Sequence, residues 1–317
     1  VPFVNHNSGA RTIIHYAQGK QGMTVYNSAH KYRLDKAFLL YHPHKPLLST
    51  HAMKYTYYDV LSPGENIIIA ISAFTGFNQD DGLIINKGAI DRGLFNACYF
   101  DKYISKCSKN SANGENEKFT KPNPEITTDM MRHGSYDKLN KDGYVPEETI
   151  INNNDVIIGK ISSISNVEDN NGKIWKDNSQ TYKHYLPAVV DKVWNNLHNI
   201  EGYEIKKVKV RTPLKPMVGD KFSTKTAQKG TICLILNPED MPYTENGIVP
   251  DIIFHPTGIY NRLTIGFLLE LLFGKVSAIE GHRFDATGFE IYNIEQMRDL
   301  LTKYGYDGDN TPFVYGS

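Results

Sequence analysis

Residues 64–74, G-E-N-I-I-I-A-I-S-A-F, constrain the fold of this chain more than any other stretch. The apolar run is continuous and β-branched where a half-exposed strand would alternate, so it predicts a strand covered on both faces. A second such run, residues 83–86, follows the turn Thr75-Gly76-Phe77-Asn78-Gln79-Asp80-Asp81-Gly82, and a third covers residues 231–236. The turn itself reads either as an Asx-rich hairpin or as a carboxylate pair aimed at a metal or another residue. With 317 residues, 40% of them hydrophobic, the chain can form two domains, or one domain carrying a large insertion.

Composition places that insertion. Residues 105–118, S-K-C-S-K-N-S-A-N-G-E-N-E-K, are polar and predict a surface loop. From Phe119 to about Tyr203, short strands (156–164, 185–193) are separated by Asn, Asp and Gly clusters such as 152–155 and 168–172. The expected organisation is a first part over 1–104, a β-rich insertion over 105–205 and a second part over 206–317. Residues 1–60 lack a clean period and read as loops and short strands that present Arg11 and the turn 18–22. Gly19-Lys20 is not a phosphate loop, because Gln21 stands where a metal-binding Ser or Thr is needed. Apolar residues at 263, 267, 268, 271, 272, 276 and 279 predict a helix that stops at Gly281, with Asn261 and Arg262 at its anion-favouring start. Asn293 as cap, Gln296 three residues on and Gly305 beyond predict a last helix over 294–304.

Between Lys206 and Lys229 lie eight basic residues and one acid, Asp220. Since the whole chain balances 35 basic against 35 acidic side chains, this is segregated charge and predicts a polyanion-facing surface, the bland alternative being a solvated face. Lys221 and Lys229 are eight residues apart, an even spacing that puts both amines on one face of an extended chain. Three scattered cysteines (98, 107, 233) without a C-x-x-C pair predict free thiols in a reducing, intracellular compartment and no zinc knuckle. The longest apolar stretch, 263–273, contains Glu270 and is too short to span a bilayer, and no secretion signal is visible. The start at Val1 and the end at Gly316-Ser317 read as cuts through a longer polypeptide.

Several strings, in order along almost the whole chain, carry a resemblance: N-H-N-S-G-A-R (5–11), G-K-Q-G-M (19–23), G-F-N-Q-D-D (76–81), I-D-R-G-L-F (90–95), H-G-S-Y-D-K-L (133–139), D-V-I-I-G-K (155–160), V-K-V-R (208–211), G-D-K-F (219–222), Q-K-G-T-I (228–232), E-D-M-P-Y (239–243), G-I-V-P-D (247–251) and K-V-S-A (275–278). The chain resembles the second-largest subunit of multisubunit DNA-dependent RNA polymerases, the counterpart of the bacterial β subunit. The resemblance implies a β-rich α+β fold, a double-psi β-barrel hybrid-binding domain interrupted by a wall (flap) domain. It further implies that Lys221 and Lys229 approach the RNA 3′ end and the incoming nucleotide, and that Arg11 and Arg262 contact the triphosphate. Lys20, Gln21 and Lys225 join the nucleotide- or nucleic-acid-binding set. Asp81 is implied to help hold a second magnesium, the magnesium being held mainly by the largest subunit, whose metal-binding triad this chain lacks. The chain departs from the family where Asp80-Asp81 replaces Glu-Asp, which puts a metal role for Asp80 in doubt; where Thr226-Ala227 replaces His-Gly; and at Gly82, which is Ser in eukaryotic enzymes. Abundant Asn, Ile, Lys and Tyr would suit a large DNA virus, and a virion or viral factory would then join nucleus and cytoplasm as locations.

Two functions of different class remain. One is a polymerase segment that acts in trans with the largest and other subunits on DNA template, RNA–DNA hybrid and nucleotide, and is inactive alone. The other is a non-catalytic scaffold that binds nucleic acid or protein. Arg11, Lys221, Lys229 and Arg262 together favour the first, since a scaffold needs none of them. An independent phosphotransferase built on Asp80 and Asp81 lacks a base and further metal ligands.

Overall fold

The structure, a computed structural model, describes residues 1–109, 114–164, 174–307 and 313–316. The chain folds as two compact units, one made of Val1–Ser28, Leu39–Ala97 and Lys215–Ser317, the other of Ala29–Phe38 and Cys98–Leu214.

The first unit is built on a mixed six-stranded sheet. Its strands are β1 (Ile67–Ile71), β2 (Gly82–Asn86), β3 (Lys221–Ser223), β4 (Lys229–Leu236), β5 (Ile252–Phe254) and β6 (Phe313–Gly316), in the order β3-β4-β2-β5-β1-β6. β4 runs parallel to β2 and β5 parallel to β1, and the other neighbours are antiparallel. All five residues of β2 are buried. Its alternate side chains enter opposite layers: Leu83 and Ile85 pack with Ile69, Ile252 and Phe254, whereas Ile84 packs with Ala70, Ile253 and Met241. The Asp80-Asp81 turn between β1 and β2 is therefore not a hairpin, because β5 lies between the two strands.

The α-helices of this unit include α1 (Gly9–Gly19), α2 (Thr257–Arg262), α3 (Ile265–Glu280) and α4 (Ile294–Lys303). Phe267 and Leu271 of α3 join the layer of Leu83 and Ile85, while Leu269, Phe273 and Val276 join Phe3, Leu48, Met297 and Leu301. A helix with apolar side chains on two sides is held between two layers, and burial of that extent makes it a core element. Asn293 caps α4 as expected, its Oδ1 accepting from the Gln296 N–H at 3.0 Å, and Gly305 closes it at φ 80°.

The helix predicted from 263 to a stop at Gly281 forms as α3, starting two residues later and closed by Gly281 at φ 76°. Leu263 takes φ 51°, so Asn261 and Arg262 end α2 instead of starting α3. The cap of α3 comes from the other end of the chain: Asn7 Oδ1 accepts from the Gly266 N–H at 3.1 Å, and a Cβ at Gly266 would lie 2.5 Å from the Asn7 amide. Arg262 thus occupies a last helical turn, where the dipole favours a cation. Residues 1–60 contain α1, a helix with no buried residue and hence no apolar stripe turned to a core.

In the second unit, strands Ala97–Lys106, Glu204–Leu214, Ala188–His198 and Ile150–Ile151 lie side by side in that order. Its core is Leu139, Val145, Ile151, Val156–Ile158, Tyr182, Ala188, Val190, Val208 and Val210. Residues 98–104 and 206–214, expected in the first and second parts that flank the insertion, belong to this unit. The strand expected over 156–164 is cut at Gly159, where a Cβ would meet the Thr120 carbonyl at 2.5 Å. The loop expected over 105–118 lies partly, and the 168–172 cluster wholly, outside the described residues. Cys98, Cys107 and Cys233 are free thiols, and among the described residues no helix is long and apolar enough to cross a membrane.

Candidate functional site

The basic run does not form the single surface expected of it. Lys206, Lys207, Lys209 and Arg211 belong to the second unit, where Lys206 and Lys209 are buried and Arg211 is ion-paired. Lys206 is buried 3.1 Å from Glu204, and Lys209 is fully buried, donating to the His30 carbonyl at 2.7 Å with Nζ 4.0 Å from the Phe100 ring centroid. Arg211 pairs with Glu148 and Asp191. Lysine stems bury readily when the ammonium finds a carbonyl, an acid or a ring, and these do. Lys225, in the first unit, is also buried, 5.7 Å from the Tyr58 ring centroid. Burial pulls its pKa down to about 8, against the opposing pull of Glu270. Lys225 is a core lysine and not the surface cation it was expected to be. Lys215, Lys221 and Lys229 are the exposed cations of the run in the first unit.

Lys221 and Lys229 sit on the antiparallel pair β3–β4, in which Lys221 faces Thr231, Phe222 faces Gly230 and Ser223 faces Lys229. The lysines are diagonal neighbours on one face, with Cα atoms roughly 7–8 Å apart. A fully extended chain would have spread them about 26 Å. They share a face as expected, by folding back and not by extension. The other face is filled: the Phe222 ring lies 4.6 Å from that of Phe95, and a Cβ at Gly230 would meet Leu83 Cγ at 2.6 Å. With that side closed, both ammonium groups reach solvent.

The turn joining the two lysines is held by α1. Arg11 Nη1 donates to the Ala227 carbonyl at 3.4 Å, His15 hydrogen-bonds the Thr224 backbone, and Ser223 Oγ donates to Gln18 Oε1 at 2.6 Å. These three residues at i, i+4 and i+7 form one helical face. Sequence reasoning passed over His15, whose pKa burial pulls down to about 4. Lys20 and Gln21 are exposed just beyond the end of α1. Ala227 is fully buried at φ 60°, the left-handed region that favours glycine, at the position where the resemblance expects Gly.

Arg262 reaches the same turn from α2. Its Nη1 donates to Gln228 Oε1 at 2.9 Å, and its Nη2 engages both carboxylate oxygens of Asp81. Gln228 is buried, and its Nε2 donates to Thr264 Oγ1 and to the Gly258 carbonyl at 3.4 Å. Asp80 and Asp81 both adopt left-handed backbone, φ 48° and 69°, in a turn fastened by fully buried Asn78, which donates to the Ser72 carbonyl at 2.6 Å and accepts from the Phe74 N–H at 3.2 Å. The Asp81 carbonyl accepts from the Thr231 N–H at 2.9 Å. The register puts Lys221, Thr231 and Gly82 in one row across three strands, so Lys221 and Gly82 are about 10 Å apart at Cα. Arg11 senses the cluster: burial and the Arg262 charge lower its pKa, and Asp81 opposes them. A cavity of about 400 Å³ opens here, lined by Asp80, Asp81, His255, Thr257, Asn261 and Arg262 among others.

Such a cluster can take a multivalent anion, with Arg262 at the cavity, Arg11 on the adjoining turn and two ammonium groups on the neighbouring hairpin face. Asp81 presents its carboxylate to Arg262, and among the described residues no group of three or more His, Cys, Asp or Glu could hold a metal ion.

The family model described as RNA polymerase Rpb2, domain 6, matches residues 1–316. DNA-directed RNA polymerase subunit 2 of Acanthamoeba polyphaga mimivirus is 39% identical over 308 residues, covering 97% of this chain and 26% of the relative. DNA-directed RNA polymerase II subunit 2 of Arabidopsis thaliana is 40% identical over 310 residues, 96% of this chain and 26% of the relative. DNA-directed RNA polymerase subunit Rpo2 of Saccharolobus solfataricus is 32% identical over 320 residues, 99% and 28%. The chain spans about a quarter of the length of these relatives. Matched end to end by that one family model, and at these identities by viral, plant and archaeal subunits alike, the chain belongs to the Rpb2 domain 6 family of RNA polymerase second subunits.

Proposed function

We propose that this chain is the part of a DNA-directed RNA polymerase second subunit that holds the RNA 3′ end and the triphosphate of the incoming nucleotide, in complex with the largest and other subunits. The observation that carries the reading is the exposed pair Lys221 and Lys229 on one hairpin face, joined by a turn whose Ala227 and Gln228 are gripped by Arg11 and Arg262. In this reading the first unit is the hybrid-binding domain with its double-psi β-barrel, and the second is the wall. Transfer of a nucleotidyl group concentrates negative charge on phosphate oxygens, and fixed cations that need not reorganise lower its barrier. Lysine supplies compact charge at the reacting end, and arginine a planar fork for the phosphate tail. Magnesium, when bound, neutralises the phosphates further. Asp81 would be the residue of this chain to lend it an oxygen, and the other ligands would come from the largest subunit. The test is single-turnover extension of a preformed RNA–DNA scaffold by the assembled polymerase at saturating nucleotide. Lys221→Ala and Lys229→Ala each slow addition by on the order of a hundredfold with assembly intact. Near-normal rates for both would favour a scaffold instead.

A further inference from the structure

The guanidinium of Arg262 is held from two unequal sides. Outside it meets Asp81, whose side chain is 45% exposed; inside it meets Gln228, which is 2% exposed. The outer partner faces the cavity, where an arriving phosphate can replace it. The inner partner is anchored. Gln228 gives its amide N–H groups to Thr264 Oγ1 and the Gly258 carbonyl, which forces its Oε1 toward Arg262; a flipped amide would set N–H against N–H. Thr264 is fully buried in the break between α2 and α3, and Gly258 lies within α2, so one glutamine fixes both the helix that carries Arg262 and the tip of Arg262 itself. A long, flexible arginine otherwise loses its rotamer freedom only when ligand binds, and ordering it beforehand strengthens binding.

We infer that Gln228 is a positioning residue, buried beneath the site, that aims Arg262 at the phosphates of the nucleotide. The inference rests on the reading of Arg262 as a triphosphate contact. Gln228 touches no substrate. Its neighbour Lys229, the first residue of β4, is exposed, so two consecutive residues supply an outward cation and a buried anchor.

The assembled polymerase carrying Gln228→Met, Arg262→Ala or both, assayed by single-turnover extension across a range of nucleotide concentrations, tests this. Loss of a buried hydrogen bond to a charged group predicts that Gln228→Met raises the nucleotide KM about tenfold, with a change of less than threefold in the rate at saturation. In the Arg262→Ala background the same substitution adds less than twofold, because the group it aims is gone. Thr264→Val, which removes the acceptor that orients the amide, raises KM in the same direction by a smaller factor and serves if Gln228→Met does not assemble. An unchanged KM in Arg262→Ala would overturn the reading of Arg262 and the inference with it. A raised KM in Arg262→Ala with none in Gln228→Met, or an equal Gln228→Met effect in both backgrounds, would overturn the inference and leave the reading standing.

Discussion

Replacing Lys225 by methionine separates a buried charge from a nucleic-acid contact. Burial lowers the lysine pKa from 10.5 to about 8 in the folded chain. Between those values the unfolded chain keeps a proton that the folded chain has released, so the wild-type fold gains stability as pH rises from 8 to 10.5. Below 8 both states carry the charge, and the burial penalty is fully present. A shift of that size corresponds to about 3 kcal/mol. Lys275 is desolvated in the same way and titrates over the same interval, which makes the difference between wild type and Lys225→Met, and not the wild-type curve, the informative quantity. Relative to the variant, wild type loses about 3 kcal/mol of stability between pH 10.5 and pH 7. Urea denaturation followed by helical circular dichroism suits the measurement, since α1, α3 and α4 all lie in the first unit, whereas both tryptophans, Trp175 and Trp194, lie in the second. A difference that stays flat with pH would show Lys225 to be solvated and refute the reasoning. In RNA–DNA binding the salt slope is unchanged by Lys225→Met, whereas Lys221→Ala or Lys229→Ala lowers it by roughly one unit.

Gly230→Ala places a methyl group against Leu83, a residue already in the core, and destabilises the first unit by about 1–3 kcal/mol, seen as a lower urea midpoint at unchanged slope. Asp81→Asn removes the carboxylate charge from Arg262, and tripolyphosphate then competes with nucleotide several-fold better in the assembled polymerase; unchanged inhibition would mean that Asp81 does not shield the arginine.

The strands β1, β2 and β4 were readable because a strand buried on both faces leaves a continuous apolar run, and α4 because its cap is local. What failed was long-range. The start of α3, beyond the left-handed Leu263, is capped by Asn7 at Gly266, a contact across 259 positions that no helical periodicity records. Lys209 and Lys225 read as surface charge because the His30 carbonyl and the Phe100 and Tyr58 rings that receive them lie elsewhere in the chain, and Lys206 because Glu204 stands just before the run. The face of α1 formed by Arg11, His15 and Gln18 carried a signal, i, i+4, i+7, but a polar one that a search for apolar stripes passes over. Gln228 carried none, since its importance lies in what it touches.

The separation of β1 from β2 by β5 has a consequence for how the protein is made. Neither strand has its partner in hand when it leaves the ribosome: β2 ends at Asn86, while β4 begins at Lys229 and β5 at Ile252. Most of the second unit, residues 98–214, is synthesised in between as one contiguous piece and can close first. During that interval the most apolar strands of the chain wait with bare edges, the state in which β-sheet proteins aggregate. Arg11, Asp81, Gln228 and Arg262 are joined only after Arg262 has emerged, so the anion cluster cannot close before the second unit has been made.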